Sequence, residues 1–161
     1  MKNSNLRVIL VSFTLVLLIV VIYFVGLINI PNYLNSNRDK LDDYNEISEY
    51  VNENILDLEQ IVLDKINNNE GKNLKEIQSI NVYENDNNVI VQFDTGGKGL
   101  VPSSTYYGFY YSKEDTPVSF DNSNFELEQI NDDKWCWQDV GDNYGITIRI
   151  RENWFYFEAS F

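Results

Sequence analysis

The segment Ile146–Phe161, ITIRIRENWFYFEASF, decides the fold because its side chains alternate with the period of two that is typical of β-strands. Isoleucine occupies every second position from 146 to 150, and an aromatic run follows after Glu152-Asn153. A two-residue loop at Glu152-Asn153 would give an antiparallel hairpin with one consistently apolar face. The expected pairs are Ile150 with Phe155 and Ile148 with Phe157 on the core face, and Arg151 with Trp154, Arg149 with Tyr156 and Thr147 with Glu158 on the other, where guanidinium groups can stack on rings.

The same alternation predicts a first hairpin around the polar turn at residues 85–88, because Asn and Asp side chains bond the local backbone. Its expected pairs are Glu84 with Val89, Val82 with Val91, and Ile80 with Phe93. Between the two hairpins, further strands are predicted at residues 105–112, 125–130 and 134–138. The whole pattern favours an antiparallel sheet of about six or seven strands.

Residues 41–66 show a different period. Apolar side chains recur at steps of three or four residues, which is typical of one stripe of an amphipathic helix. The stripe comprises Leu41, Tyr44, Ile47, Val51, Ile55, Leu58, Val62 and Ile66. The polar run at residues 67–71 suits a helix end. We therefore expect an α+β fold in which one long helix packs on the sheet.

The run from Val8 to Ile28 is apolar and uncharged for 21 residues, long enough for a helix that spans a bilayer. No small-residue cleavage site follows it, which favours an uncleaved anchor over a signal peptide. Lys2 and Arg7 precede the run, so we expect the N-terminus inside and the C-terminal domain outside; a cytoplasmic domain is the alternative. The expected organisation is a cytoplasmic tail at 1–7, a transmembrane anchor at 8–30, a stalk at 31–40 and an extracytoplasmic domain at 41–161.

The charge of the chain excludes several partners. All 25 acidic residues lie within residues 31–161 together with 10 of the 12 basic residues, which gives this segment a net charge of −15. A nucleic-acid-binding protein needs the opposite sign, so nucleic acid is excluded as a partner. A basic protein remains a possible partner, alongside the bilayer for residues 8–30. Cys136 is the sole cysteine, so an intramolecular disulfide is impossible.

The sequence offers little for catalysis. It contains no histidine, which removes the Ser-His-Asp and Cys-His arrangements and the commonest metal ligand. The glycine-rich residues 96–99 lack the spacing of a phosphate-binding loop and are expected to form a long loop between strands. The Asx-rich residues 121–124 and 139–143 do not follow a calcium-loop pattern and are typical of turns. We therefore predict no enzyme, no metal site and no cofactor.

The triplet Trp135-Cys136-Trp137 suggests a binding surface. In a strand, both tryptophans point to one face, and Tyr110 lies in a strand whose two faces are aromatic. Trp135, Trp137 and Tyr110 are therefore a candidate aromatic platform for a glycan or a peptide, and packing in the core is the alternative. The expected function is a membrane-anchored, non-catalytic interaction module of a bacterial cell envelope that binds a protein or a wall component. The alternatives are an immunity or inhibitor protein, whose acidic surface blocks a basic toxin or enzyme, and a small envelope hydrolase.

Overall fold

The computed structural model describes residues 41–85, 88–100 and 103–161. Two helices, α1 (Tyr44–Glu53) and α2 (Ile55–Ile66), come first, and a short 3-10 turn, η1 (Phe120–Asn122), lies between the third and fourth strands. The strands are β1 (Ser79–Asn85), β2 (Asn88–Leu100), β3 (Ser103–Ser112), β4 (Glu128–Asn131), β5 (Lys134–Gln138), β6 (Tyr144–Arg151) and β7 (Trp154–Ser160).

All seven strands form one antiparallel sheet in the order β1-β2-β3-β7-β6-β5-β4. The C-terminal strand β7 thus lies at the centre, between β3 and β6. The strand number and the antiparallel pairing agree with the sequence pattern. The predicted α+β class is wrong, because the described part of the chain is mostly β with two short helices.

The predicted long helix is divided at Asn54. The backbone N–H of Asn54 and its side-chain Nδ2 both donate to the carbonyl oxygen of Tyr50, at 3.0 and 2.9 Å. The ψ angle of Asn54 is 15°, well away from the helical value, so α1 ends there. A break of a single residue leaves the spacing of apolar residues on both sides intact, which is why the periodicity in the sequence predicted one continuous helix.

No helix among residues 41–85, 88–100 and 103–161 is long and apolar enough to cross a membrane. The longer of the two, α2, has 12 residues, which at 1.5 Å per residue reach only about 18 Å. The transmembrane helix of the expected fold is therefore not part of the described structure. The predicted anchor at residues 8–30, like the tail at 1–7 and the stalk at 31–40, lies outside the described residues.

The first hairpin has the predicted register, with Glu84 opposite Val89, Val82 opposite Val91 and Ile80 opposite Phe93. The predicted loop at residues 96–99 is wrong, because β2 continues to Leu100 and pairs with β3 over this stretch. A bulge at Thr95 bends β2 and lets the pairing resume at Gly96.

The last hairpin departs from the predicted register beyond its first pair. Arg151 lies opposite Trp154, but Ile150 is bulged out of the ladder. The extra residue changes the partner in β7 of every β6 residue that precedes Ile150, so apolar side chains no longer pair as predicted. Ile148 therefore lies opposite Tyr156 and Arg149 opposite Phe155. The predicted stacking of Arg149 on Tyr156 is wrong, and its guanidinium carbon instead lies 4.7 Å from the centre of the Phe155 ring.

Both faces of the sheet are covered. On one face, α1 and α2 pack against the strands around a core that includes Leu58, Phe93, Phe109, Trp154 and Tyr156. On the other face, a second cluster of Ile90, Tyr110, Phe155 and Phe157 lies beneath the segment that carries Val118 and Phe120. This segment covers only part of that face and leaves a cleft beside it.

Candidate functional site

Two of the three residues of the predicted aromatic platform, Trp137 and Tyr110, are buried. Trp137 is 2% exposed, stacks on Phe125 with the ring centres 4.2 Å apart, and covers the backbone of Gly145. Tyr110 is 1% exposed, and its ring stacks on Phe155 at 5.2 Å. Trp135 alone is half-buried, with its ring edge-on to Phe155. Neither Trp137 nor Tyr110 presents a ring face to a ligand.

A cleft of about 670 Å³ opens on the sheet face opposite the helices. It lies between the β1–β2–β3 end of the sheet and η1, and its volume is in the range of small-molecule sites. The residues that line the cleft are Gln78, Ser79, Asn81, Tyr83, Asp94, Gly96, Gly97, Tyr106, Phe120, Asp121 and Phe161. The described lining contains two carboxylates, four aromatic rings and no lysine, arginine or cysteine.

Asp94 lies at the base of the cleft, directly before the bulge in β2. Its Oδ2 atom accepts hydrogen bonds from the hydroxyl of Ser79 and from Nδ2 of Asn81, the latter at 2.9 Å. Its Oδ1 atom accepts from Nε2 of Gln92 at 2.8 Å. Three neutral donors thus hold this carboxylate in one orientation, and no cation pairs with it among the described residues.

Asp121 faces Asp94 across the side chain of Gln92. Nε2 of Gln92 donates to Oδ1 of Asp121 at 2.8 Å, and the backbone N–H of Asp121 donates back to Oε1 of Gln92 at 3.2 Å. Gln92 is only 2% exposed, so its amide is a fixed link between the two carboxylates. Asp121 and Asn122 have φ angles near +50°, a conformation that Asx residues tolerate, and Ser119 closes the turn by donating to the carbonyl of Ser123.

Tyr83 closes the polar side of the cleft. Its hydroxyl donates to Oδ1 of Asp121 at 3.0 Å. Burial, and after it the negative charge of Asp121, raise the pKa of Tyr83 above its usual value. The hydroxyl therefore stays protonated and serves as a hydrogen-bond donor, not as a base.

Aromatic rings form another part of the cleft lining. Tyr106 is 43% exposed and stacks on Phe120, with the ring centres 5.6 Å apart, while Phe161 meets Tyr106 edge-on at 6.2 Å. A Cβ atom at Gly97 would lie 3.3 Å from the Tyr106 ring, so glycine leaves room for the ring across the strand. The cleft thus combines fixed carboxylates with exposed aromatic surface, an arrangement suited to binding.

No local sequence pattern marks this site, because its residues come from β1 and the residue before it, β2, β3, η1 and Phe161. One signal was available in the predicted first hairpin. Its register already placed Ser79 opposite Asp94 and Asn81 opposite Gln92. Polar residues at alternate positions on paired strands mark a polar face, and a buried polar face is uncommon.

A second group of carboxylates lies at the start of α1, where Asp42, Asp43 and Glu46 come within 4.8 Å of one another. Two of these three already have structural partners. Asp42 forms an ion pair with Lys98, and Asp43 caps the helix by accepting from the backbone N–H groups of Asn45 and Glu46. The geometry of this group is explained by the helix N-terminus.

No protein-family model, no curated protein and no solved structure matches this chain, so the assignment of a function depends on the cleft itself.

Proposed function

We propose that residues 41–161 form a non-catalytic interaction module and that its ligand binds in the cleft. The observation that carries the proposal is the hydrogen-bonded network of Gln92, Asp94 and Asp121, in a cleft that the exposed ring of Tyr106 also lines. Gln92 is almost fully buried, yet both its donor bonds and its acceptor bond serve to fix Asp94 and Asp121. Burying a polar side chain on a sheet face is costly unless its groups are satisfied, so this network supports a role in recognition.

The carboxylates favour binding over hydrolysis. A glycoside hydrolase needs one carboxyl that is protonated and donates to the leaving oxygen, beside a second that is ionised. In the described structure Asp94 and Asp121 accept every hydrogen bond that their side chains make, so neither is arranged as a proton donor. We therefore favour the interaction module over the hydrolase alternative.

The proposed cellular setting follows from the sequence alone. A domain on the outer side of a bacterial cell membrane is expected from residues 8–30, which lie outside the described residues. The binding chemistry of the cleft does not depend on that setting. An immunity or inhibitor protein remains the alternative that the net charge of −15 over residues 31–161 supports.

The first prediction tests whether the cleft binds ligands at all. The full chain is prepared with 3-fluorotyrosine at Tyr106 in the cleft or, as a control, at the exposed Tyr144 of β6. Fluorine NMR spectra are recorded while a neutral chitin oligosaccharide, an arginine-glycine peptide, spermine and an acidic peptide are each added. We expect at least one compound to shift the Tyr106 resonance in a saturable way, because a ligand in the cleft must contact this ring, and to leave Tyr144 unchanged.

A substitution links the signal to the cleft. Phe120→Ala removes the ring on which Tyr106 stacks and should weaken binding of the active compound. The proposal is wrong if no compound moves the Tyr106 resonance, or if Tyr144 responds equally. Release of reducing sugar from a wall glycan by the full chain, abolished by Asp121→Asn, would contradict the non-catalytic assignment.

A further inference from the structure

We infer that the ligand of the cleft carries a protonated amine or a guanidinium group, presented by a basic peptide segment of a partner protein; this inference depends on the proposed function. The charge of the cleft favours a cationic ligand. Asp94 and Asp121 place two carboxylates in a cleft whose described lining contains no lysine or arginine. The described ion pairs involve Lys72, Lys98 and Arg149, none of which lines the cleft.

The carboxylate of Asp121 can accept more hydrogen bonds than it receives from the described residues. Both described hydrogen bonds to the side chain of the exposed residue Asp121 end on Oδ1, so within the described part of the chain Oδ2 is open to solvent or to a ligand. A carboxylate accepts about four hydrogen bonds, and charge-assisted bonds are about twice as strong as neutral ones. A cationic donor in the cleft would therefore add hydrogen bonds to Asp121. It would also neutralise the negative charge of this carboxylate, which the neutral donors Tyr83 and Gln92 do not.

The aromatic wall of the cleft, formed by Tyr106, Phe120 and Phe161, also favours a cation. A cation near the face of a tyrosine or phenylalanine ring is attracted by about 0.5–1 kcal/mol at an exposed site. The exposed ring of Tyr106, which stacks on Phe120, lines the same cleft as the two carboxylates. A divalent metal ion would make no use of these rings, so the wall favours an organic cation over a metal.

The position of the cleft beside an edge strand favours a peptide over a free polyamine. The cleft lies against β1, an edge strand of the sheet whose residues Ser79, Asn81 and Tyr83 line it. An extended peptide can lie along an edge strand while one of its side chains enters a neighbouring pocket. A free amine gains no such contact. The net charge of −15 over residues 31–161 would also attract a basic protein and speed its encounter.

The second prediction uses the same fluorinated chain. The arginine-glycine peptide should shift Tyr106 with an affinity about tenfold or more above that of spermine, and the neutral oligosaccharide and the acidic peptide should have no effect. Asp121→Asn should weaken the peptide about tenfold. Tyr106→Leu, read by calorimetry, should weaken it several-fold. Binding should also weaken steeply at about 1 M salt, where the Debye length is only about 3 Å.

The matched control is Asp132→Asn, which removes the same charge from the exposed turn between β4 and β5. It should bind the peptide as the unchanged chain does. Equal losses in Asp132→Asn and Asp121→Asn would show attraction to the acidic surface in general and overturn the inference.

Binding of the oligosaccharide in place of the peptide would overturn the inference and leave the proposed function intact, whereas no response to any compound would overturn the proposed function as well. Spermine binding as tightly as the peptide would overturn the assignment to a peptide.

Discussion

At the scale of single residues, close contacts explain why particular side chains stand where they do. A Cβ atom at Gly108 would lie 2.7 Å from the Phe157 ring and would also strike the carbonyl oxygen of Phe93. This glycine, in a strand otherwise rich in aromatic residues, therefore admits a neighbouring backbone and ring. Gly145 serves Trp137 in the same way, since a Cβ atom there would lie 2.7 Å from Cζ2 of the indole. The rings of Phe157 and Trp137 thus pack tightly over glycine.

The third prediction compares the two tryptophans of β5. Trp137→Ala should lower the free energy of unfolding by about 3–5 kcal/mol, because it removes a buried ring and its stack on Phe125. Trp135→Ala should cost clearly less, since this side chain is half-buried and borders solvent. Urea unfolding of the full chain measures both values. Equal costs for the two variants would contradict the different burial of these residues.

At the scale of the elements, the sequence predicted best where pattern alone sets the geometry. The first hairpin was predicted in register because apolar residues alternate on both strands around a short turn. The last hairpin was not, because a bulge at Ile150 is a one-residue event that both faces tolerate. The isoleucines of β6 are apolar, and both faces of the sheet are buried. Hydrophobic alternation therefore could not reveal the shift in register. The break at Asn54 escaped detection for a similar reason, since the apolar stripe continues across it.

The fourth prediction concerns the start of α1. Asp43→Ala should lower the free energy of unfolding by about 1 kcal/mol, because Oδ1 of Asp43 accepts from the N–H groups of Asn45 and Glu46, at 2.7 and 3.0 Å. Asp43→Ser should keep most of the stability, since serine also caps helices well. Urea unfolding followed by circular dichroism gives the comparison. Glu49→Ala, at an exposed position of the same helix, is the control and should change stability little; an equal loss in this control would contradict a specific cap.

At the scale of the whole molecule, a sheet buried on both faces explains why the site was hard to predict. The aromatic residues of the sequence predicted an exposed binding platform, but most aromatic rings of this fold lie in or against its two cores. The cleft instead forms where the cover over the second face ends. Asp94 and Asp121 lie 27 positions apart and meet only because η1 folds back over β2. Such a meeting depends on tertiary structure and leaves no local pattern.

The double burial has a consequence for stability at alkaline pH, which is the fifth prediction. Burial is the main cause that raises the pKa of Tyr110 on one face and of Tyr156 on the other, and it raises the pKa of Tyr50 from 10.0 to about 12. Between these two values the folded domain holds more protons than the unfolded chain, so the free energy of unfolding falls as pH rises. The stabilising contribution of Tyr50 is fully present below pH 10 and is lost as pH rises through about 12.

Urea unfolding of the full chain across this range, with phenolate absorbance recorded in parallel, tests the fifth prediction. We expect stability to decline above pH 10, and a group of tyrosines to ionise only as the domain unfolds. Tyr50→Phe keeps the ring that packs near Phe109 but cannot ionise, so the decline should be shallower in this variant. An unchanged slope in Tyr50→Phe would show that its hydroxyl is not shielded in the folded state. Ionisation of all 11 tyrosines at the usual pH while the domain stays folded would contradict the burial of phenols on both faces of the sheet.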